Sequence, residues 1–411
     1  MTNEEFVLAH RNDDVRKLAF AKVPDGVDVR WCLQQIEGWQ LARKKLPEWA
    51  ARDGVWFPPR ISMEQCSSEQ TAVYKRSVIE ALLPDAAERN NLADLTGGFG
   101  IDFSYMAVAF RHGVYVERQS HLCEIARHNL SALLDDTTFE VCNEDSAEAI
   151  TGAAETGTFC SRSFDVVFLD PARRDDIGRK VVALEDCTPN VIDLLPWLRS
   201  HTRYFVVKLS PMLDITQSLR QLKCVSQVHV VSVGGECKEL LLVCRSEADV
   251  EMSLVSYHCV NLASGDSPFI CDNKTEAVAS IIEADELQNG DWQYLLEPNA
   301  SLLKAGVQDT LCRHFDVRKL HPMSNLFVSK EPVFSFPGRL FAVEAVGDFT
   351  KQSLRELVGK VQKANLTVRN FPATVAELRK RLKLKEGGNT YYFATTLSNG
   401  KHALFRCHKH N

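Results

Sequence analysis

The residues best suited to chemistry form the segment Asp94-Leu-Thr-Gly-Gly-Phe-Gly-Ile-Asp102, which joins an apolar run to an apolar, helix-like stretch. Glycines at a turn from strand to helix let a ligand approach the backbone closely. Glu117 ends the next apolar run, where a carboxylate can accept hydrogen bonds from ribose hydroxyls. The residues expected to contact such a ligand are Asp94, Thr96, Gly97, Gly98, Gly100, Glu117 and its neighbour Arg118.

Two classes of cofactor compete for this loop. A dinucleotide site requires Gly-x-Gly-x-x-Gly, but after Gly98 and Gly100 the third position is Phe103. Asp94 would also place negative charge beside a pyrophosphate. S-adenosylmethionine has no phosphate and carries a sulfonium and an ammonium, which an aspartate at a strand end suits. The loop therefore favours S-adenosylmethionine, with a dinucleotide or a plain tight turn as the alternatives.

A polar segment, Asn143-Glu-Asp145-Ser146, follows the third apolar run. In a doubly wound α/β sheet that binds such a cofactor, this loop lies where the adenine would sit, so Asp145 and Ser146 are candidates to bind the cofactor. The alternative is that Asp145 caps the helix that follows, and one side chain can serve both roles.

The segment Leu169-Asp170-Pro171-Ala172-Arg173-Arg174 closes the fourth apolar run, at the edge where ligands bind in open α/β sheets. Asp170 can accept a hydrogen bond or a proton from a substrate amine, and Pro171 would stiffen the turn. Arg173 and Arg174 can hold a phosphate or a carboxylate. A purely structural Asp-Pro turn is the alternative.

The elements that position these residues form an alternating pattern. Buried parallel strands appear as short apolar runs separated by amphipathic stretches. Such runs occur at 92–95, 113–117, 138–142, 165–169, 204–208, 228–233 and 239–244. They predict a doubly wound, Rossmann-like sheet of seven strands, in which the last two form an antiparallel hairpin at the sheet edge.

Three other regions complete the predicted organisation. Apolar residues at helical spacing indicate a helical N-terminal lobe at 1–60, before the sheet domain at 61–250. Residues 251–334 are mixed, and 335–411 predict a small α+β domain with the order βαβαββ. Its predicted elements are strands at 339–345, 366–370, 390–396 and 402–407 and helices at 351–363 and 374–384.

Composition narrows the class of protein further. The net charge is −6, yet residues 335–411 contain 14 Lys and Arg against 5 Asp and Glu, a local charge of +9 that favours a polyanionic partner. The cysteines show no CxxC spacing and the histidines no ligand spacing, so we expect reduced thiols and no metal. The N-terminus has no apolar leader and the chain no run of 18 apolar residues, which predicts a cytoplasmic protein without a membrane span.

Taken together, these motifs resemble class I (Rossmann-like) S-adenosylmethionine-dependent methyltransferases over residues 60–250. One departure is Thr96, where many members have glycine. The segments Gln65-Cys-Ser-Ser-Glu69, Asp170-Pro-Ala-Arg173, Glu297-Pro-Asn-Ala-Ser301 and Pro337-Gly-Arg339 further resemble bacterial members with a THUMP-like, ferredoxin-like C-terminal domain.

This resemblance implies an RNA substrate reached partly through the basic domain. It also implies that a helix before the first strand closes over the cofactor, with Gln65, Thr71 and Lys75 near its methionine end. An ordinary helix capped by Ser67 or Ser68 is the alternative for that segment.

The target atom is less well indicated. Arg173 stands where amino-group methyltransferases have an aromatic residue, and Lys208-Leu-Ser-Pro211 lacks the cysteine of uracil-C5 enzymes. Direct transfer to a nitrogen, with Asp170 orienting the acceptor or receiving its proton, is the favoured hypothesis. A methyltransferase for a small molecule or a protein, and a non-catalytic protein that binds the cofactor or RNA, are the alternatives.

Overall fold

The structure, a computed structural model, describes residues 1–134, 136–151, 159, 161–173, 184–262, 265, 267–272 and 278–410. The chain divides into two compact units. Unit 1 comprises Met1–Ser226 and Leu240–Val250, and unit 2 comprises Gln227–Glu239 and Glu251–Asn411. In the part of the chain that is described, no helix is both long enough and apolar enough to span a membrane.

Unit 1 begins with helices, as the apolar spacing of its first 60 residues predicts. Acceptor side chains at the N-caps explain where several of them begin: the Asp28 carboxylate accepts from the backbone N–H of Trp31, and the Ser68 hydroxyl from that of Thr71. The helices are α1 Asn3–His10, α2 Val15–Leu18, α3 Val29–Lys45, α4 Pro47–Ala51, α5 Arg60–Gln65 and α6 Glu69–Leu82.

An alternating α/β region follows. Its elements are β1 Asn91–Asp94, α7 Ile101–Ala107, β2 His112–Val116, α8 Ser120–Leu133, β3 Thr138–Cys142, α9 Ser146–Thr151, β4 Phe164–Leu169, β5 Ala172–Arg173, β6 Cys187–Thr188, α10 Val191–His201, β7 Thr202–Leu209, α11 Ile215–Leu222, β8 Val225–Val233 and β9 Glu236–Arg245. All seven predicted strands are present, each within a few residues of its predicted bounds. The Rossmann-like fold class is confirmed.

Within unit 1 the strand order is β9–β7–β4–β1–β2–β3. Strands β7, β4, β1, β2 and β3 are parallel, and β9 is antiparallel to β7. The order reverses between β1 and β4, because the chain continues from β1 to β2 on one side and from β4 to β7 on the other. Ligands bind at such a switch point, outside the carboxyl ends of the strands. The loops after β1 and β4 therefore meet where chemistry is expected.

The predicted position of the hairpin at the sheet edge is wrong. In unit 2, residues 227–232 of β8 pair in parallel with β10, and β10 pairs with β11. β8 therefore has a further neighbour, formed by residues of the region that the sequence left as mixed. The bounds of these added strands are β10 Ser256–Asn261 and β11 Phe269–Cys271.

The rest of unit 2 forms a second sheet with helices. Its elements are α12 Ala284–Asn289, β12 Tyr294–Pro298, α13 Ala300–Ala305, α14 Gln308–Phe315, β13 Arg318–His321, β14 Ser324–Ser329, β15 Gly338–Gly347, α15 Lys351–Val358, β16 Asn365–Arg369, α16 Val375–Leu382, β17 Thr390–Thr396 and β18 His402–Lys409. The strand order is β13–β14–β12–β15–β18–β17–β16, and all pairs are antiparallel except β16 with β17.

The predicted βαβαββ order of the last 77 residues is present as β15, α15, β16, α16, β17 and β18. One helix is shorter than expected: α15 ends at Val358, not at Lys363, because Gly359 adopts a φ of +53° and breaks the helical path. Leu357 of α15 and Leu378 and Leu382 of α16 pack on Tyr392 and Leu404 of the sheet, which forms a separate core under these two helices.

Candidate active site

The glycine loop after β1 is tight against β2 on one side and open on the other. Gly98 and Gly100 have φ values of +56° and +87°, which favour glycine. A Cβ on Gly97 would lie 2.2 Å from the Tyr115 ring, so that position has no room for a side chain. A Cβ on Gly98 would meet only the Thr96 carbonyl oxygen, at 3.8 Å. Open space therefore lies beside the Gly98 backbone, where a ligand can approach.

Glu117, at the end of β2, is bound to the same loop. One carboxylate oxygen accepts from the backbone N–H of Gly98 at 2.9 Å, and the other from that of Gln119 at 2.9 Å. The Tyr115 hydroxyl donates to the Gly98 carbonyl at 2.5 Å. These contacts hold the carboxylate of Glu117, which is 8% exposed, at the rim of the open space.

Thr96 connects the loop after β1 to the loop after β4. Its hydroxyl donates to a carboxylate oxygen of Asp94 at 3.2 Å and accepts from the backbone N–H of Asp170 at 2.6 Å. Its backbone N–H also donates to Asp94, at 2.9 Å. Glycine, which many relatives are expected to have here, could not make the hydroxyl bridge. The departure at Thr96 thus has a structural role.

Asp94 is almost fully buried, at 1% exposure. Burial is the main cause that raises its pKa from 3.8 to about 8. The hydrogen bonds from Thr96 lower this pKa, and the negative charges of Asp102 and Asp170 raise it. At neutral pH this carboxyl is therefore mostly protonated. A cation beside it would favour the ionised form.

A chain of alternating charges runs from α6 to the end of β4. The Lys75 ammonium lies 3.1 Å from Asp102, and the Lys208 ammonium lies 3.4 Å from Asp102 and 2.6 Å from Asp170. The Ser67 hydroxyl donates to Asp102 at 2.7 Å and accepts from Lys75 and Lys208 at 3.2 and 3.0 Å. We call this set, Ser67, Lys75, Asp102, Lys208 and Asp170, the charge chain.

Access to solvent differs along the charge chain. The side chain of Lys75 is 1% exposed, that of Lys208 12% and that of Asp170 39%. Burial alone would raise the pKa of Asp102, but the ammonium groups of Lys75 and Lys208, together with the hydrogen bond from Ser67, outweigh it and lower that pKa to about 2. Asp170 is thus the most exposed member of the charge chain, and Lys208 is the member that contacts its carboxylate.

The loop after β3 is joined to Glu117 through Asn143, whose amide donates to the Glu117 carbonyl at 2.9 Å. Asp145 accepts from the backbone N–H of Ala147 at 2.9 Å, directly before α9. The helix-capping interpretation of Asp145 is thus confirmed. Its contact with an adenine, and that of the buried Ser146, remain predictions.

The segment before β1 is partly in the charge chain. Lys75 belongs to it, and the Thr71 carbonyl accepts from the Lys75 ammonium at 3.3 Å. The Thr71 hydroxyl donates to the Ser68 carbonyl at 2.9 Å, and Ser68, not Ser67, caps α6. Gln65 lies exposed on α5. Contacts of these residues with a cofactor remain predictions.

The remaining predicted residues are Pro171, Arg118, Arg173 and Arg174. Pro171, next to Asp170 in the chain, is buried, and Arg118, next to Glu117, is exposed. The backbone of Arg173 pairs with Cys187 in a two-stranded ribbon, β5 with β6. Arg174 lies outside the described residues.

Sequence reasoning missed three members of this site: Ser67, Asp102 and Lys208. A signal for two of them was present. Lys208 is a charged residue within the apolar run Tyr204–Leu209, and Asp102 lies between the apolar residues Ile101 and Phe103. A charge among buried apolar positions requires a partner. Neither position shows which partner that is.

The chemistry of the described side chains suits a cation. The carboxyl groups of Asp94, Asp102, Glu117 and Asp170 outnumber the ammonium groups of Lys75 and Lys208. With Asp94 protonated, the formal sum of these groups is −1. Open space beside Gly98, a carboxylate rim and a negative sum fit a nucleoside that carries a sulfonium and not a phosphate. Fold and site define a Rossmann-like methyltransferase.

The comparisons with known proteins give the family. Over the whole chain, and over 98% of the other, the protein is 31% identical to a solved structure described as a "putative methyltransferase from Porphyromonas gingivalis W83", with a TM-score of 0.85. The chain therefore belongs to the family of class I S-adenosylmethionine-dependent methyltransferases that have THUMP-like and ferredoxin-like C-terminal domains. Family models described as "ferredoxin-like domain" and "THUMP domain-like" match residues 294–337 and 338–409.

More distant similarities cover less than half of the chain. Human methyltransferase-like protein 13, solved with S-adenosylhomocysteine, is 18% identical over 46% of this chain and 86% of its own, with a TM-score of 0.33. A SAM-dependent methyltransferase from Agrobacterium tumefaciens is 16% identical over 44% and 63%, with a TM-score of 0.33. A comparison with curated proteins finds no match.

Proposed function

We propose that this protein transfers a methyl group from S-adenosylmethionine to a nitrogen of a base in structured RNA. The observation that carries the proposal is the position of Asp170. Its carboxylate is 39% exposed at the switch point of the sheet, 2.6 Å from Lys208, and its backbone is hydrogen-bonded to the glycine loop through Thr96. A carboxylate held there can orient an acceptor N–H toward the cofactor.

The residues that would hold the cofactor lie on the loops after β1, β2 and β3. The Gly98 backbone would pack against it, Glu117 would accept from its ribose hydroxyls, and Asp145 and Ser146 would lie near its adenine. Asp94 would face its positive charge. When bound, S-adenosylmethionine supplies an electrophilic methyl group on sulfur.

On the side of the methyl acceptor, the proposed role of the protein is to position the target nitrogen. Asp170 would accept a hydrogen bond from the target nitrogen or receive its proton, and Pro171 would limit movement of the turn. Holding the two reactants in the productive geometry can account for much of the rate of such a transfer.

A covalent route through a cysteine is disfavoured on two grounds. The segment after β7 is Lys208-Leu-Ser-Pro211, without a cysteine. Cys66 lies close enough to interact electrostatically with Asp102 and Lys208, but burial raises the pKa of its thiol. The thiol donates to the Met63 carbonyl at 3.3 Å. A thiol that stays protonated is a poor nucleophile.

We assign RNA capture to the basic segment 335–411 and methyl transfer to 61–250, with the helical lobe 1–60 preceding them. On α16, Lys380 and Arg381 are exposed, and Arg379 donates to the Ala364 carbonyl at 3.2 Å. Replacing the three by glutamine should lower the slope of log affinity for RNA against log salt. An unchanged slope would favour a small-molecule or protein substrate.

The cofactor is tested by calorimetric titration of S-adenosylmethionine, S-adenosylhomocysteine and NAD. We expect the first two to bind the wild type, and Glu117→Ala to weaken them at least about tenfold, or about 1.4 kcal/mol. Glu124→Ala, an exposed position on α8, is the matched control. Preferential binding of NAD would overturn the assignment.

The acceptor is tested with S-adenosylmethionine carrying a tritiated methyl group. The RNA comes from cells in which the gene for this chain is deleted, so that its target is unmethylated. We expect ribonuclease-sensitive label that is lost with Asp170→Asn, and mass spectrometry of the nucleosides then gives the methylated base. Label only in protein or in small molecules would support the alternative substrates instead.

A further inference from the structure

Two of the motifs that relate this chain to its family are not used by the candidate active site. They are Glu297-Pro-Asn-Ala-Ser301 and Pro337-Gly-Arg339, both in unit 2. In the sheet they lie side by side, since Glu297 of β12 pairs with Arg339 of β15. The Asn299 N–H donates to the Pro337 carbonyl at 3.0 Å, which fixes the same register beyond the strand.

The backbone of β12 lies so close to position 338 that only glycine fits at the centre of Pro337-Gly-Arg339. A Cβ at this position would lie 2.2 Å from the carbonyl oxygen of Glu297, which real contacts do not allow. The backbones of β12 and β15 therefore approach closely here. The consequence is that Arg339 is held directly opposite Glu297.

A second arginine contacts the same carboxylate, from a strand that is not a neighbour of β12 in the sheet. Arg369 is on β16, the last strand of the order, and its guanidinium donates to Glu297 at 2.8 Å. Arg339 donates to the other oxygen through Nε at 2.9 Å and also through Nη2. Both arginines thus converge on one carboxylate, whose side chain is 3% exposed.

This arrangement has more donors than it can use. Two guanidinium groups carry about ten N–H donors, and one carboxylate offers about four acceptor sites. The formal charge of the three side chains is +1. The side chains of Arg339 and Arg369 are 48% and 39% exposed, so donors remain accessible to solvent. Nη1 of Arg369 also donates to the Val368 carbonyl at 3.3 Å, and the donors that these contacts do not use can reach a ligand.

We propose that Arg339 and Arg369, oriented by Glu297, form a binding site for a phosphodiester of the RNA backbone. The planar guanidinium group matches the oxygens of a phosphate, and fixing it in advance reduces the entropy lost on binding. The +9 charge of residues 335–411 would attract the polyanion to this site. The identity of the partner rests on the proposed function; the site itself does not.

The experiment measures binding of a fluorescent RNA hairpin at several salt concentrations. Arg339→Gln and Arg369→Gln should each weaken binding severalfold and lower the slope of log affinity against log salt by about 0.7 to 0.9. Arg355→Gln, an exposed arginine of α15, removes the same charge from the same segment and is the matched control. Arg339→Lys keeps the charge and should restore only part of the affinity.

Thermal unfolding separates this proposal from a purely structural role. If both glutamine variants unfold at lower temperature but bind RNA like Arg355→Gln, the three side chains only join the strands, and the proposal is overturned.

A second arm uses dimethyl phosphate, a phosphodiester without a base, followed by the arginine Nε–H signals in NMR spectra. Shifts at Arg339 and Arg369 would support the site even if the wild type binds no RNA, an outcome that contradicts only the proposed function. No shift at either arginine would overturn the site.

Discussion

The hydroxyl of Thr96 accepts a hydrogen bond of 2.6 Å from the backbone N–H of Asp170. This bond crosses the switch point of the sheet, from the loop after β1 to the loop after β4. Because the same hydroxyl donates to Asp94, the proposed cofactor side and the proposed acceptor side share one side chain. The distance between them is thereby fixed before any ligand binds.

Removing the Thr96 hydroxyl should therefore destabilise the protein. Thr96→Val keeps the shape but leaves the Asp170 N–H and an Asp94 oxygen without this partner, so we expect the free energy of unfolding to fall by about 1–3 kcal/mol. Urea denaturation measures the change. Thr96→Ser retains the hydroxyl and should stay close to the wild type; equal losses in both variants would show that packing of the methyl group, not the hydrogen bond, matters.

Asp94 should couple cofactor binding to pH. Its pKa is raised to about 8, so below that pH the carboxyl holds a proton. A sulfonium nearby favours the carboxylate, and binding should then release a proton. Affinity for S-adenosylmethionine relative to S-adenosylhomocysteine should rise with pH and level off above about pH 8. Calorimetry in two buffers of different ionisation enthalpy counts the proton; none released by the wild type, or an equal number with Asp94→Asn, would contradict the prediction.

The same residue should make folding less favourable as the pH rises. Between about pH 4, where an aspartate of an unfolded chain titrates, and pH 8, the native protein holds a proton that the unfolded chain has lost. The free energy of unfolding therefore falls across this window. Asp94→Asn lacks the effect, and its stability relative to the wild type should increase with pH until about 8.

The strands and the glycine loop could be predicted because their signals are local. Apolar runs, glycines and strand-end acids stand within a few residues of one another, from Asp94 to Glu117. The charge chain could not, since Ser67, Asp102 and Lys208 come from separate elements and only folding brings them together. The same holds for Glu297 and Arg369, which belong to strands that are not neighbours.

Asp102 should contribute stability that acid removes. Its pKa is lowered to about 2, against about 4 in an unfolded chain, so the contribution is present above pH 4 and is lost as the pH falls toward 2. Asp102→Asn also leaves the buried ammonium of Lys75 without its nearest negative partner, at a cost of about 3–5 kcal/mol.

The Asp102→Asn deficit is measured by urea denaturation from neutral pH to acid. It should shrink below pH 4. Asp249→Asn breaks the pair with Arg199, in which the Asp249 side chain is 62% exposed, and as the matched control should cost at most about 1 kcal/mol. A deficit that stays constant from neutral pH to acid would mean that Asp102 acts through its shape and not through its charge.

Lys208 should affect the rate of transfer more than cofactor binding. It touches Asp170 and Asp102 but lies behind the exposed carboxylate, so it is a positioning residue. In Lys208→Met, Asp102 keeps Lys75 while Asp170 loses its 2.6 Å partner, and we expect kcat to fall about tenfold or more with little change in the Kd of S-adenosylmethionine. Lys208→Arg should restore part of kcat.

Lys238→Met is the matched control, since it removes an exposed lysine that pairs with Glu236 at 2.5 Å, outside the charge chain. Single-turnover transfer to RNA gives the rate, and calorimetry gives the Kd. If Lys208→Met lowered the affinity for the cofactor as much as the rate, the charge chain would act on the cofactor side, and Asp170 would not depend on Lys208 for its orientation. A selective loss of rate, partly rescued by arginine, would place the effect at the carboxylate that faces the acceptor.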